Sequence, residues 1–212
     1  MELYFAPLAC SLSSRIALYE AGAAVRFVQV DTRAHRVADG ADFFAVTMQG
    51  QVPVLQTDDG ERLTENPAVL QFIADRHPES GLAPPAGSMA RYRLQQWLNF
   101  VTSELHKVVF IPLLDRNAPE GAKAYAREKT ARRLDTLNKH LEGREFLLER
   151  FTVADAYLVT VLNWAPYAGV DLAQWPAIHA YNERLRQRPS VARALAEEFA
   201  LYKEEQARRA AA

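Results

Sequence analysis

Gln51-Val52-Pro53-Val54-Leu55-Gln56-Thr57-Asp58-Asp59-Gly60-Glu61-Arg62-Leu63 decides the fold class. Val52 to Leu55 is apolar and strand-like, Thr57-Asp58-Asp59-Gly60 is a turn with Asp-Gly at its end, and Glu61 to Leu63 returns as a short strand. Upstream, residues 3–6 and 25–30 carry the β-branched and aromatic side chains of strands. Between them residues 11–21 suit a helix, with Gly22 placed to end it. Residues 31–40 are polar and expected as loop, and a short helix is expected near 41–46. Downstream, a helix follows from Pro67 to about Arg76. A hairpin closing a βαβ start implies an α/β domain with a mixed four-stranded sheet and helices packed on it.

The run Pro78-Glu79-Ser80-Gly81-Leu82-Ala83-Pro84-Pro85-Ala86-Gly87-Ser88 has the composition of a linker. The expected division is therefore 1–77, a linker at 78–88, and a second domain over 89–212. No strand pattern recurs after the linker. Helices are expected over 89–110, 120–141, 152–165 (ended by Pro166), 176–187 and 190–202, with fraying from Glu204 to the end. The second domain is thus an all-α bundle. In its first helix Leu94, Leu98, Val101, Leu105 and Val108 form an apolar stripe at helical spacing.

Composition sets outer bounds. The 212 residues include 25 Lys and Arg against 26 Asp and Glu, and the net charge of −1 gives no general electrostatic reason to bind nucleic acid or an anionic membrane. No apolar run approaches the ~20 residues that span a bilayer. Met1-Glu2-Leu3-Tyr4-Phe5 lacks a basic leader before an apolar run. Cys10 is the one cysteine, so no intrachain disulfide forms and no oxidising compartment is required. The expectation is a cytoplasmic protein.

Three motifs carry candidate chemistry. Cys10-Ser11-Leu12-Ser13 puts a thiol between a strand and a helix start, where helix amides favour thiolate. It is a C-x-x-S form of a redox motif: an internal disulfide is excluded, a mixed disulfide with an external thiol is not. An inert, packed cysteine is the alternative. In Gln51-Val52-Pro53-Val54 the proline opens a strand and suggests a bend, with a cis Val52-Pro53 bond as one form of it. The bend could offer the Val52 N–H and C=O to an extended peptide; the alternative is an ordinary strand-opening proline. In Thr64-Glu65-Asn66-Pro67, Asn66 is placed as N-cap and Pro67 as first helical residue. The same helix start could take a carboxylate, with Glu65 beside it for an ammonium group.

Together these motifs resemble the glutathione transferase pattern: a cysteine or serine at the first helix, Q-V-P-V at the third strand, and an acidic plus a polar residue opening the third helix. Phe151-Thr152-Val153-Ala154-Asp155 resembles the family's buried capping box, in which Thr152 caps a helix and Asp155 reaches back. The resemblance covers nearly the whole chain. It is closest to the bacterial beta class, through Cys10 and the runs Trp97-Leu98-Asn99-Phe100 and Ser103-Glu104-Leu105-His106-Lys107.

The resemblance implies a thioredoxin-like N-terminal domain, glutathione as co-substrate, a small hydrophobic electrophile and a homodimer. It implies that Cys10 lies against the glutathione sulfur, with Ser11 and His106 aiding thiolate stabilisation. Val52, at the bend made by Pro53, would bind the cysteinyl backbone. Glu65 and the position of Asn66 would bind the γ-glutamyl end. Asn99, Ser103 and Glu104 would add contacts from the helical domain. His35 stands where the family often has lysine for the glycyl carboxylate, and Asn66 replaces a more usual serine. Disulfide reductase or peroxidase activity through Cys10, glutathione-dependent isomerase or dehalogenase activity, and a non-catalytic ligand-binding or regulatory role are alternatives on the same fold.

Independently of the resemblance, Asn99, Ser103 and His106 fall at i, i+4 and i+7 and form one polar stripe on an α-helix. It lines a cleft or a solvated face. Trp164-Ala165-Pro166-Tyr167 suits either an electrophile pocket or helix-end packing. His77, His140 and His179 share no metal-ligand spacing, so no metal is expected. Tyr4 is given no catalytic role.

Overall fold

A computed structural model describes residues 1–210. The chain divides into two compact units, one containing residues 1–82 and the segment from Pro189 onward, the other residues 83–188.

The first unit is built on a mixed sheet. Strand β1 (Glu2–Phe5) lies at its centre, parallel to β2 (Arg26–Asp31) and antiparallel to β4 (Val54–Gln56). The edges are β3 (Arg36–Val37), antiparallel to β2, and β5 (Arg62–Leu63), antiparallel to β4, giving the order β3-β2-β1-β4-β5. The expected hairpin and the βαβ start are both present. The sheet has five strands rather than four, because part of the polar stretch 31–40 pairs with β2. That strand is two residues long and only Val37 turns into the core, so no alternation marks it in the sequence. The short helix expected near 41–46 is a single 3₁₀ turn, Phe43–Ala45, whose Asp42 side chain accepts from the Phe44 N–H.

Both faces of β1 are covered. Tyr4 joins Val28, Val30, Val37, Phe43 and Val54 in one cluster, while Leu3 and Phe5 point to the opposite face. Helix α1 (Leu12–Glu20) makes the right-handed crossover from β1 to β2 and is buried from Leu12 through Leu18. Helix α2 (Asn66–Arg76) buries Val69, Leu70, Ile73 and Ala74.

The break between the units falls inside the expected linker, which also contains a 3₁₀ turn at Pro78–Ser80. The expectation places the second domain over 89–212. The last helix of the second half, Pro189–Ala210, belongs to the first unit. It buries Val191, Ala194 and Glu198, and it meets α1 through Arg15 and β2 through an Arg209–Asp31 pair at 3.1 Å. An amphipathic pattern specifies that a helix has a buried face but not which body covers it. The fraying expected from Glu204 is not seen as far as Ala210; residues 211 and 212, also part of that expectation, lie outside the described part.

The second unit is built of helices and the turns between them, with no strand among its described residues. Ser88 caps α3 (Met89–Asn99) by accepting from the Arg91 N–H. The helix continues as a π-helical segment, Phe100–Phe110, in which the Ile111 N–H reaches the His106 carbonyl, and then as α4 (Ile111–Leu114). The wider turn displaces the apolar stripe. Leu94, Leu98, Val101 and Leu105 are buried as expected, but burial then passes from Val108, which is half-exposed, to Val109 and Phe110. Helices α5 (Glu120–Leu141), α6 (Val153–Leu162) and α7 (Pro176–Arg186) follow. Helix α6, expected to reach 165, stops at Leu162 and gives way to a 3₁₀ turn at Ala165–Ala168 around Pro166.

Helix α6 is buried on every side and starts from the Thr152–Asp155 capping box. Asp155 is fully buried. One of its oxygens accepts from the Thr152 N–H at 2.9 Å and the Thr152 hydroxyl at 3.0 Å. The other accepts from the Leu147 N–H and the Tyr181 hydroxyl, each at 2.8 Å. Burial pushes this carboxyl above its ordinary value, and the four donors pull against it. Replacing Asp155 by alanine strands those donors away from water. The expected loss is at least about 3 kcal/mol, read as a shift of the urea midpoint at unchanged slope.

Candidate active site

The sheet register assembles the site in the first unit. Tyr4 pairs with Val54 on antiparallel strands, so the chain leaving β1 runs alongside the chain entering β4. The β1–α1 turn then brings Cys10 back to Val52. The half-buried Cys10 Sγ donates to the Val52 carbonyl at 3.3 Å across 42 residues of sequence. The Val52-Pro53 bond is cis, and Pro53 is buried behind Val52.

Ser11, expected to aid the thiolate, follows Cys10 directly in the turn. It is fully buried, its hydroxyl lies 3.3 Å from both the N–H and the carbonyl of Ala6, and it holds the turn closed. Helix α1 accordingly begins at Leu12, with Cys10 in the preceding turn. Ser13 ties that turn further by donating to the Cys10 carbonyl at 2.7 Å.

The start of α2 also differs from expectation. The N-cap is Glu65, and Asn66 is the first helical residue, followed by Pro67. The reason lies in the Asn66 side chain, which is buried and faces α1. Its Nδ2 donates to Ser13 Oγ at 2.9 Å, and Ser14 Oγ donates to its Oδ1 at 3.1 Å. Side-chain recognition of a ligand is thereby removed from Asn66, while its N–H stays among the helix-terminal amides. Glu65 is exposed, and its carbonyl accepts from the Ala68 and Val69 amides. Its φ of 63° with ψ of 112° lies outside the regions that L-residues ordinarily adopt. Through Ser13, one chain of bonds links the Cys10 turn to the residue beside Glu65. The three motifs therefore meet at one end of the sheet.

Sequence reasoning missed the support beneath this turn. Leu8 has a φ of 60°, and its N–H donates to Glu198 Oε2 at 2.7 Å. The other Glu198 oxygen accepts from Arg15 Nε at 2.8 Å, with both side chains buried. The Arg15 guanidinium lies 4.3 Å from the Phe5 ring centre and 3.7 Å from that of Phe27. Burial pushes the Glu198 carboxyl up to about 7, against the pull of Arg15 and the Leu8 amide. Nothing in the run Ala194-Leu195-Ala196-Glu197-Glu198 separates this glutamate from its neighbour on an ordinary helix.

His35 stacks on Phe44 with ring centres 4.4 Å apart, has a φ of 52°, and keeps its Nδ1 buried without a hydrogen-bond partner. Gly50 closes against this pair: a Cβ there would lie 2.8 Å from His35 Nδ1 and 2.7 Å from Phe44 Cε1. Tyr4 is buried on the other cluster, with its hydroxyl 3.3 Å from Glu2, and burial raises its pKa.

The polar stripe expected in the second unit is split. Asn99 and Ser103 are exposed on one face, linked by the Ser103 hydroxyl donating to the Asn99 carbonyl at 2.9 Å. His106 is 5% exposed and leaves that face, because a π-helical turn consumes an extra residue and seven positions no longer close two turns. Its Nδ1 lies 2.6 Å from the Tyr157 hydroxyl and its ring centre 5.0 Å from that of Trp164. Trp164 is thus a packing partner within the unit. Burial, with a smaller effect of Lys107, lowers the His106 pKa to about 4, so the imidazole is neutral at pH 7. Glu104 is paired with Arg133 at 2.7 Å. Among the described residues no three His, Cys, Asp or Glu side chains gather to hold a metal, and no helix is long and apolar enough to cross a membrane.

Two outcomes follow from these geometries. Glu65→Gly relieves a backbone conformation that only glycine adopts without cost, and is expected to raise stability by about 1 kcal/mol in thermal or urea unfolding. His106 takes up its proton near 6.5 when unfolded and near 4 when folded. In that window the unfolded chain holds the His106 proton and the folded chain does not, so the contribution of His106 to stability is full above pH 6.5 and falls as the pH drops to about 4, opposite in sign to that of Glu198, whose raised carboxyl keeps its proton in the folded chain up to about 7. The loss amounts to about 3 kcal/mol and should vanish in His106→Asn, checked by urea titrations across the window.

Family models described as glutathione S-transferase, N-terminal domain and C-terminal domain match residues 1–75 and 100–189. The chain is 41% identical over 199 residues to glutathione S-transferase GstA of Escherichia coli O157:H7, covering 93% of this chain and 98% of that protein. It superposes on a sphingomonad glutathione S-transferase solved in complex with glutathione with a TM-score of 0.89 at 46% identity, over 93% of this chain and 98% of the other. The bacterial beta-class glutathione S-transferase of Sphingomonas chungbukensis superposes with a TM-score of 0.89 at 44% identity, over the same shares of 93% and 98%. With family models matched over most of its length and a relative 41% identical across nearly all of it, the chain belongs to the glutathione S-transferase family.

Proposed function

We propose that the protein transfers glutathione to small hydrophobic electrophiles and that Cys10 lies beside the reacting sulfur. The observation that carries this reading is the meeting of Cys10, Val52 and the Glu65 end of α2 within the first unit. Glutathione is a γ-linked tripeptide, and each of its parts has a counterpart there. The γ-glutamyl carboxylate suits the N-terminal amides of α2, with its ammonium group at the exposed Glu65 carboxylate. The cysteinyl backbone pairs with Val52 as an added strand would. This puts the glutathione sulfur next to Cys10. His35 is assigned the glycyl carboxylate.

In the second unit, Asn99, Ser103 and Glu104 are assigned to ligand contact. His106 is assigned a hydrogen-bonding role as a neutral imidazole, since its burial disfavours the cation. A second copy of the chain is the partner in this reading, favoured by the apolar surface of Met48 and Phe44, which are 95% and 47% exposed. A cytoplasmic location accompanies it, because glutathione keeps thiols reduced there.

The chemistry is attack of the glutathione thiolate on a soft electrophilic carbon, with loss of the leaving group. The site's contribution is to hold the sulfur in line. A second reading, thiol–disulfide exchange, is favoured by the presence of a thiol at the site. Cys10 thiolate attacks one sulfur of oxidised glutathione, forms the mixed disulfide and releases one glutathione thiolate. Incubation with oxidised glutathione followed by mass spectrometry should give a single adduct, absent in Cys10→Ala. An unmodified wild-type protein counts against Cys10 at the sulfur, and failure to bind reduced glutathione in calorimetry counts against the whole reading. Retention of aryl-halide conjugation by Cys10→Ala, with loss of exchange, assigns the cysteine to the second chemistry.

A further inference from the structure

We propose that Glu198 is a positioning residue for Cys10: by accepting the Leu8 N–H it holds the left-handed backbone at Leu8 that turns the chain back towards Val52. Three observations support this. Leu8 has a φ of 60°, a region that glycine favours and a leucine enters only when something holds it. The holding contact is a 2.7 Å bond to a side chain that is itself 0% exposed and fixed from its other oxygen by buried Arg15. Cys10 is two residues further on, within the same turn, with its thiol placed on the Val52 carbonyl. Glu198 therefore acts on the thiol through the Leu8 backbone. The idea uses the functional reading only for the importance of Cys10, and its test needs no glutathione.

Because Cys10 is the one cysteine, alkylation by iodoacetamide followed by mass spectrometry reports this thiol alone. Glu198→Ala is expected to release the turn and to raise the alkylation rate about five- to thirtyfold in protein that is still folded by thermal unfolding. Adding Leu8→Gly should return the rate to within about twofold of wild type, since glycine takes the left-handed conformation unaided. Glu198→Gln keeps an acceptor for the Leu8 N–H and should also stay within about twofold. A loss of the Arg15 charge pair alone would not be repaired by a glycine at position 8, and that separates positioning from general stabilisation.

Wild-type alkylation in folded Glu198→Ala overturns the proposal, and so does a raised rate that Leu8→Gly leaves unrepaired. If Glu198→Ala does not fold, Glu198→Asp decides. It keeps the charge facing Arg15 but withdraws the acceptor from Leu8 by one methylene. A raised rate supports the proposal and a wild-type rate overturns it. Absence of a glutathione adduct in wild type sinks the functional reading and leaves these comparisons intact.

Discussion

The placement of β1 between a parallel and an antiparallel neighbour is the constraint on which the first unit depends. The parallel partner demands a crossover, which α1 supplies, and so forces a turn directly after β1. The antiparallel partner brings the chain before Val54 alongside the chain after Phe5. A thiol in the turn and a backbone carbonyl at the bend thus become neighbours through sheet topology, not through any affinity of their own. Ser11, Ser13 and Asn66 then fix the details with short hydrogen bonds.

In the second unit the corresponding constraint is the π-helical segment. One extra residue per turn carries His106 into the interior and hands the apolar stripe from Val108 to Val109 and Phe110. A histidine that an α-helical period would place on a polar face becomes a neutral ring packed between Tyr157 and Trp164. The same unit rests on Asp155, whose oxygens gather donors from the segment before α6, from its N-cap and from α7. Local helix chemistry and tertiary packing converge there on one carboxylate.

Much of this was legible in the sequence because it is written in local patterns. The hairpin at 57–60, the linker, the bend at Pro53 and the Thr152–Asp155 box are short-range signals whose physical meaning does not depend on distant residues. The errors arose where distant residues decide. Asn66 looks like an N-cap until Ser13 and Ser14 draw its side chain inward, which moves the cap to Glu65. The π-helical period of 100–110 has no signature in residue types, and neither does the choice of body on which the last helix lies.

Beyond its first residue, that last helix lies outside both family matches, which end at residues 75 and 189. Leu8 and Glu198 are separated by 190 residues, so the strut under the cysteine turn is synthesised roughly ten to forty seconds after Leu8 itself. During that interval the nascent N-terminal segment lacks its closing piece. The chain is therefore less modular than its two halves suggest: loss of the helix that carries Glu198 would remove the acceptor beneath the turn that leads to its tenth residue.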